Sequence, residues 1–318
     1  MSGEVIVVGG GVIGLTTAVE LAERGRRVRL WTREPAGATT SAVAGALWWP
    51  YRIEPEALVG AWSLTSLRVY EELAGRPEET GVRLVPGVQP GVSPAALGPW
   101  VRELTGKVRE LAPDERPAGV ASGLWARLPL LDMPAHLGWL AARFEAAGGT
   151  VELRTAGSFE EAAAEAPVVV NCTGLGAREL VPDPELTPVR GQLVLVENPG
   201  IDTWYAAADE ASSELTYFFP QPGRLVLGGT AVEGAWSLEP DPATAEAIVR
   251  RCARVRPEIA GAEVLAHRVG LRPARSSGVR LAAVPGPYGT RLVHNYGHGG
   301  AGVTVAWGCA RAAADLAG

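Results

Sequence analysis

Near the start of the chain, Gly9-Gly10-Gly11-Val12-Ile13-Gly14 constrains the fold more than any other stretch. It lies between a short apolar run, Glu4 to Val8, and a segment from Ile13 to Glu23 that places Leu15, Ala18, Leu21 and Ala22 on one helical face. Gly25 stops that helix and Arg27 to Thr32 reads as a second strand, which completes a right-handed βαβ unit. Gly9, Gly11 and Gly14 keep the G-x-G-x-x-G spacing. The first allows the tight turn, the second lets a pyrophosphate approach the backbone, and the third lets helix and strand pack closely. The helix N-terminus adds partial positive charge. Gly9, Gly11, Val12, Ile13 and Gly14 are therefore candidate dinucleotide contacts. The pattern also calls for an acid about 20 residues further on, to hold the ribose hydroxyls. Arg33 and Glu34 follow the second strand, so either Glu34 meets the ribose one place late or Arg33 meets a phosphate. FAD and NAD(P) both remain open on this unit alone.

With 318 residues the chain can bury a sizeable core in one large or two medium domains without staples. Cys172, Cys252 and Cys309 are widely spaced and form no CxxC pattern. Neither a disulfide framework nor a metal site is expected, and a cytoplasmic setting fits best. A net charge of −6 argues against a nucleic-acid surface. No run reaches the roughly 18 apolar residues of a membrane helix. The first residues carry no basic cluster, so no signal peptide is expected, and the last lack a Ser-Lys-Leu address.

Further along, Pro35 to Tyr51 is too polar and glycine-broken for regular structure and reads as a loop lying on a ligand. Helical spacing returns in Pro55 to Leu73, through Leu58, Trp62, Leu67 and Tyr70, and in Pro134 to Ala147 behind a capping Asp132. Val151 to Thr155 and Pro167 to Cys172 are strand candidates. From Arg190 onward the strands Gln192 to Glu197, Leu215 to Pro220, Arg224 to Gly229 and Glu263 to Leu271, joined by turns, are typical of an antiparallel sheet. Arg291 to Asn295 reads as another core strand and Val303 to Leu316 as a closing helix.

Three segments narrow the cofactor: the loop Ala38-Thr39-Thr40-Ser41-Ala42-Val43-Ala44-Gly45-Ala46-Leu47-Trp48-Trp49-Pro50-Tyr51, the turn Val170-Asn171-Cys172-Thr173-Gly174, and the late stretch His294-Asn295-Tyr296-Gly297-His298-Gly299-Gly300-Ala301-Gly302-Val303-Thr304. In order along essentially the whole chain they resemble D-amino-acid oxidase, within the wider FAD-dependent amine oxidase group, and the late stretch is highly specific to it. The resemblance implies FAD as cofactor and an α/β fold, a Rossmann-type FAD-binding domain with a mixed/antiparallel-sheet substrate domain. The first would comprise residues 1–50, 134–180 and 263–318, and the second 51–133 and 181–262. Thr39, Thr40 and Ser41 would hydrogen-bond the phosphate and ribityl region, and Gly45, Ala46 and Leu47 would run beside the flavin. The backbone of Ala156 would meet the adenine half, with Thr173 at the return strand. Gly299, Gly300, Ala301, Gly302, Val303 and Thr304 would pass the pyrimidine end, where a helix N-terminus stabilises negative charge.

For substrate, Gly270-Leu271-Arg272-Pro273-Ala274-Arg275 resembles the family segment whose second arginine grips the carboxylate, which selects Arg275. Arg272 in that role, and a structural ion pair for Arg275, are the competing readings. Tyr217 matches a tyrosine whose hydroxyl meets the same carboxylate, although its residue context alone would suggest packing. The Gly300 carbonyl would accept from the substrate amine. In the family the α-hydrogen leaves as a hydride to the flavin, so no side-chain base is needed, and His294 and His298 read as structural. Ser213 stands where some members carry a lid tyrosine, after a small, polar segment from Ala206 to Ser212, and Trp49 where a smaller polar residue is familiar.

The expected reaction is oxidative deamination of D-amino acids to 2-oxo acids, ammonia and hydrogen peroxide. Because Gly299-Gly300-Ala301 offers no cation for a second carboxylate, neutral or aromatic substrates are expected. A glycine/sarcosine-type oxidase, a D-aspartate oxidase and a non-catalytic flavin-binding protein are the alternatives. Expected partners are the D-amino acid and O₂, with no nucleic acid and no membrane. A homodimer is the assembly to test.

Overall fold

The computed structural model describes residues 3–50, 53–97, 103–104, 106–117, 120–208 and 214–318. The chain opens with β1 (Glu4–Val8), α1 (Val12–Glu23) and β2 (Arg27–Thr32), as the glycine spacing predicts. A short α2 (Thr40–Val43) interrupts the next loop, and α3 (Glu56–Leu73) and α4 (Pro77–Thr80) lead to β3 (Val82–Pro90), β4 (Val108–Glu110) and β5 (Gly123–Leu131). Then come α5 (Met133–Ala146), β6 (Thr150–Leu153), α6 (Phe159–Ala163), β7 (Val168–Asn171) and α7 (Ala177–Leu180). The strands β8 (Leu186–Val196), β9 (Trp204–Ala208), β10 (Glu214–Gln221), β11 (Arg224–Thr230) and β12 (Val232–Glu233) precede α8 (Pro242–Val255). The chain closes with β13 (Val264–Arg275), β14 (Arg280–Pro285), β15 (Arg291–Tyr296) and α9 (Gly302–Ala317).

Two sheets result. The first has the order β14-β15-β7-β1-β2-β6 and is parallel except for β14. Successive β1 side chains serve opposite faces: Val5 and Val7 join Leu15 and Ala18 of α1, whereas Ile6 and Val8 join Trp31 and Phe159. Because helices cover both faces, β1 is apolar throughout rather than alternating. Each such aliphatic side chain contributes about 1.5–3 kcal/mol on burial.

The second sheet runs β12-β8-β11-β10-β9-β3-β5-β4, with β13 on the other edge of β8. Its pairings are antiparallel except for β3 with β9. Ala245, Ile248 and Cys252 recur at helical spacing on α8 and cover Val194, Phe218 and Leu227. The fold is thus α/β, a Rossmann-type sheet joined to a mixed, largely antiparallel one, as expected.

Several boundaries differ from the sequence reading. The strand expected to end at Leu271 continues through Arg275, pairing Arg275 with Leu186. Pro273 falls within it, facing Pro188 on a sheet edge, where a missing N–H costs little. Because β13 belongs to the second sheet and β14 to the first, the chain crosses between them at 276–279. The antiparallel pair β3 and β5, which carries Pro86 and Pro129 and lies inside the sheet, had no counterpart in the sequence reading. Asp132 does precede α5 but makes no cap bond, because its carboxylate accepts from Arg224 Nη2 at 2.7 Å. Finally α3, expected with the second domain, packs on α9 of the first, where a Cβ at Gly308 would overlap the Trp62 backbone.

Candidate active site

The glycine loop forms the first wall. Gly9 has φ of +119°, and its amide donates to the Trp31 carbonyl at 2.8 Å. A Cβ at Gly9 would overlap the Cys172 carbonyl, and one at Gly14 the Gly9 carbonyl, so β1, α1 and β7 meet at backbone distance. At Gly11 the nearest obstacle to a Cβ is the Ser41 hydroxyl at 3.0 Å, so the outer side of the loop is bare backbone. Gly11 provides no side-chain cap for α1, and Ser41 Oγ accepts from the Val12 amide at 3.0 Å. An exposed glycine backbone leading into a helix N-terminus fits the pyrophosphate of a dinucleotide. Ile13 lies beside the late loop, its Cδ1 4.0 Å from where a Gly302 Cβ would stand.

The second wall is the loop after β2. Arg33 is 70% exposed and sits 3.7 Å from Glu34, so both are at the outer end of the loop. Thr39 donates to the Ala36 carbonyl at 2.7 Å, and the Thr40 methyl approaches Gly270 of β13. A Cβ at Gly45 would stand 2.8 Å from the Phe219 ring and 3.5 Å from the Tyr217 ring. Ala46, at φ of +62°, accepts from the Leu131 amide at 3.1 Å, and Leu47 bridges Leu130. Trp49 is tied to Thr304: its amide donates to Thr304 Oγ1 at 3.2 Å, and that hydroxyl donates to the Trp49 carbonyl at 2.9 Å. Tyr51, at the end of this loop, lies outside the described residues.

The late loop is the third wall. A bridge between Ala274 and His298 sets it beside β13, and Gly299 to Ala301 make one 3-10 turn before α9. Ala301 cannot cap α9, and the Val303 carbonyl accepts from the buried Tyr70 hydroxyl at 2.8 Å. Thr173 donates through N and Oγ1 to Asn171 Oδ1, so the Asn171 amide nitrogen faces His294 Nδ1 at 3.2 Å. Nδ1 therefore accepts, and burial, with Arg280 nearby, pushes His294 down to about 4. His298 is pushed down to about 3 by burial alone. Ala156 packs with Trp31 and Phe159 at the far end.

On the substrate side the two arginines part company. Residues an odd number apart on a strand face opposite ways, so Arg272 and Arg275 cannot both enter one cleft. Arg275 Nε pairs with Asp183 at 2.9 Å, and its Nη2 pairs with Glu185. Arg272 instead lies over Gly191, its guanidinium within 2.5 Å of where a Cβ would be, and donates to the Thr230 carbonyl at 2.9 Å. From the other side the Tyr217 ring lies over Gly228, its hydroxyl 2.8 Å from where a Gly229 Cβ would stand. Tyr217 and Phe219 are stacked, with ring centroids 4.7 Å apart.

Arg272 and Tyr217 thus converge on the segment Gly228 to Thr230. The Arg275 guanidinium, expected to reach the substrate, is engaged by Asp183 and Glu185, as in the competing reading of an ion pair. Sequence reading also passed over the glycine floor, although Gly191, between Arg190 and Gln192, and the pair Gly228-Gly229 within an apolar run were the available signal. The lid position, Ser213, and residues 209–212 before it lie outside the described residues.

Comparisons with known proteins bear on the family and the fold. A family profile described as FAD dependent oxidoreductase matches residues 4–316. A D-amino-acid oxidase of Streptomyces coelicolor is 68% identical over 99% of this chain and 97% of its own. One from Rubrobacter xylanophilus is 51% identical over 98% of this chain and 95% of its own. Human D-aspartate oxidase is 35% identical over 98% and 94% respectively. A glycine oxidase structure from Geobacillus kaustophilus shares the fold at a TM-score of 0.81 and 22% identity, covering 99% of this chain and 94% of that one. Bare glycine backbone at the N-terminus of α1 and a profile match along almost the whole length make this chain a member of the FAD-dependent oxidoreductase family.

Proposed function

We propose that this enzyme catalyses oxidative deamination of D-amino acids, preferring neutral or aromatic side chains. The observation that carries this reading is the convergence of the Arg272 guanidinium and the Tyr217 ring on Gly228 to Thr230, next to the Gly45 turn. A planar guanidinium with a phenol suits a carboxylate, and Arg272 keeps further donors beyond the one at Thr230. In this reading Arg272, not Arg275, holds the substrate carboxylate, and the Gly300 carbonyl accepts from the amine. Fixed at both groups, the α-carbon can direct only one of its substituents at the cofactor, which sets the stereochemistry.

Gly9, Gly11, Val12, Ile13, Gly14 and Ser41 would hold the pyrophosphate, Glu34 or Arg33 the adenosine, and Gly45 to Leu47 with Gly299 to Thr304 the flavin. When bound, FAD supplies a two-electron acceptor for the α-hydrogen and passes the electrons to O₂ as hydrogen peroxide. Water hydrolyses the released imino acid to the 2-oxo acid and ammonia. No side-chain base is required, consistent with His294 and His298 being buried and neutral. The Tyr217–Phe219 stack provides an aromatic wall, and the late loop adds no cation for a second carboxylate.

We further place residues 1–50, 134–180 and 276–318 in the cofactor half. The free, buried cysteines fit a reducing cytoplasm, and light scattering of the purified enzyme would test the homodimer. For the activity itself, one anaerobic experiment suffices. D-alanine should bleach the flavin spectrum and L-alanine should not; bleaching by neither, or by L-alanine alone, would overturn the assignment.

A further inference from the structure

Arg275 is bound up in a cluster that sits where the chain crosses between the two sheets. Asp183 lies just before β8 enters the second sheet, and Arg275 ends β13 just before the chain returns to the first. Asp183 is only 4% exposed. Its Oδ2 accepts from Arg275 Nε at 2.9 Å and from the Tyr296 hydroxyl at 2.7 Å, and Arg280 Nη1 donates to that same hydroxyl at 2.8 Å. Burial opposes the Asp183 charge, yet the bonds from Tyr296 and Arg275 outweigh it and hold the carboxyl below its usual range. Tyr296 ends β15 and leads directly into the late loop, which is bridged to β13 at His298 and Ala274.

We propose that Asp183, through Arg275 and Tyr296, is a positioning residue that fixes the late loop relative to Arg272, and so sets the placement of substrate against cofactor. The inference rests on the reading of Arg272 as the carboxylate grip. Outgoing strand, returning strand and late loop are each held by one of the groups around a single buried carboxylate. Arg272 lies three residues before Arg275 on the same strand, and the late loop begins within two residues of Tyr296. A shift of the cluster therefore alters the spacing between the two without removing a contact to either ligand. A misplacement of about 1 Å can cost on the order of 100-fold in rate.

The test compares Asp183→Asn, Asp183→Glu, Tyr296→Phe and Arg272→Ala as FAD-loaded enzymes. Two quantities are read: the limiting anaerobic rate of flavin reduction by D-alanine, and the dissociation constant of a non-reacting carboxylate, benzoate, from its perturbation of the flavin spectrum. Asp183→Asn should lower the limiting rate about 10-fold or more while the benzoate constant moves less than about threefold. Asp183→Glu should recover most of the rate. Tyr296→Phe, which keeps the ring and removes the hydroxyl's two bonds, to Asp183 and from Arg280, should lower the rate by a smaller factor, and it carries the test if the Asn variant does not fold. Unchanged rates in both Asp183→Asn and Tyr296→Phe, equal losses in Asp183→Asn and Asp183→Glu, or a loss confined to benzoate binding would overturn the proposal. Arg272→Ala reports separately: unchanged benzoate binding there removes the Arg272 reading, whatever the Asp183 variants do.

Discussion

The hydroxyl of Ser41 accepts from the amide of Val12 at 3.0 Å, joining the loop after β2 to the first turn of α1 across 29 residues of sequence. The helix borrows its cap from another element, at the point where the cofactor's pyrophosphate is expected. Ser41→Ala should lower the stability of the FAD-free protein by about 1 kcal/mol, the usual worth of a cap. It should also weaken FAD binding several-fold. Urea unfolding and an FAD titration check the two effects, and a variant unaltered in both would show that the cap is idle.

Arg272→Ala and Arg275→Ala should fail in different ways. The first removes a charge-assisted pair to substrate and should raise KM on the order of 100-fold, with FAD retained. The second leaves the Asp183 carboxylate buried without its guanidinium, which costs about 3–5 kcal/mol of stability, and should depress kcat more than KM. Steady-state kinetics with a thermal melt separates them. A large KM effect confined to Arg275→Ala would restore that residue to the substrate site.

Gly45→Ala should be damaging because the new methyl group would press on the Phe219 ring from 2.8 Å. Overpacking of this kind costs about 1–3 kcal/mol, and it would push the loop towards the flavin. Adding Phe219→Leu should recover much of the loss, since the obstacle is one ring edge. Stability of the two single variants and the double variant forms a cycle; strict additivity would mean that the two positions do not meet.

Stability should fall in mild acid. Burial holds His136 at about 4, His294 at about 4 and His298 at about 3, all depressed from the ordinary 6.5. The unfolded chain then takes up protons that the native chain refuses, so their contribution is fully present above about 6.5 and is lost as pH falls towards 4. The slope should reach about 1.4 kcal/mol per pH unit for each histidine. Urea midpoints measured with excess FAD between about pH 7.5 and 5 check this. A constant midpoint would mean that the three rings do not remain neutral in the native state.

Much of this was legible beforehand where local chemistry and fold agree. The βαβ unit was readable because an apolar strand, a glycine turn and a helical face occur consecutively, and each demands the next. Tyr217 and the late loop were singled out by resemblance alone. The role proposed for Arg272 stood there only as a competing reading, because it depends on which face of β13 each arginine takes and on that strand running through Arg275. Strand parity applied through Arg275 would have separated the two arginines. Asp183 was missed for another reason. Nothing in Val181-Pro182-Asp183-Pro184 marks it locally; its partners Arg275 and Tyr296 lie 92 and 113 residues away.

The order of strands in the first sheet also bears on how the enzyme emerges from the ribosome. β1 stands in the centre of that sheet, yet one of its two neighbours arrives only with residues 168–171, and β15 and α9 come last. Arg24 at the end of α1 meets Asp315 across 291 residues. For most of its synthesis, therefore, the nascent chain carries a finished glycine loop beside an unpaired apolar edge. The late loop, third wall of the site, is thus among the last parts of the chain to be made, and a chain that ends before β15 leaves the edge of β7 unpaired.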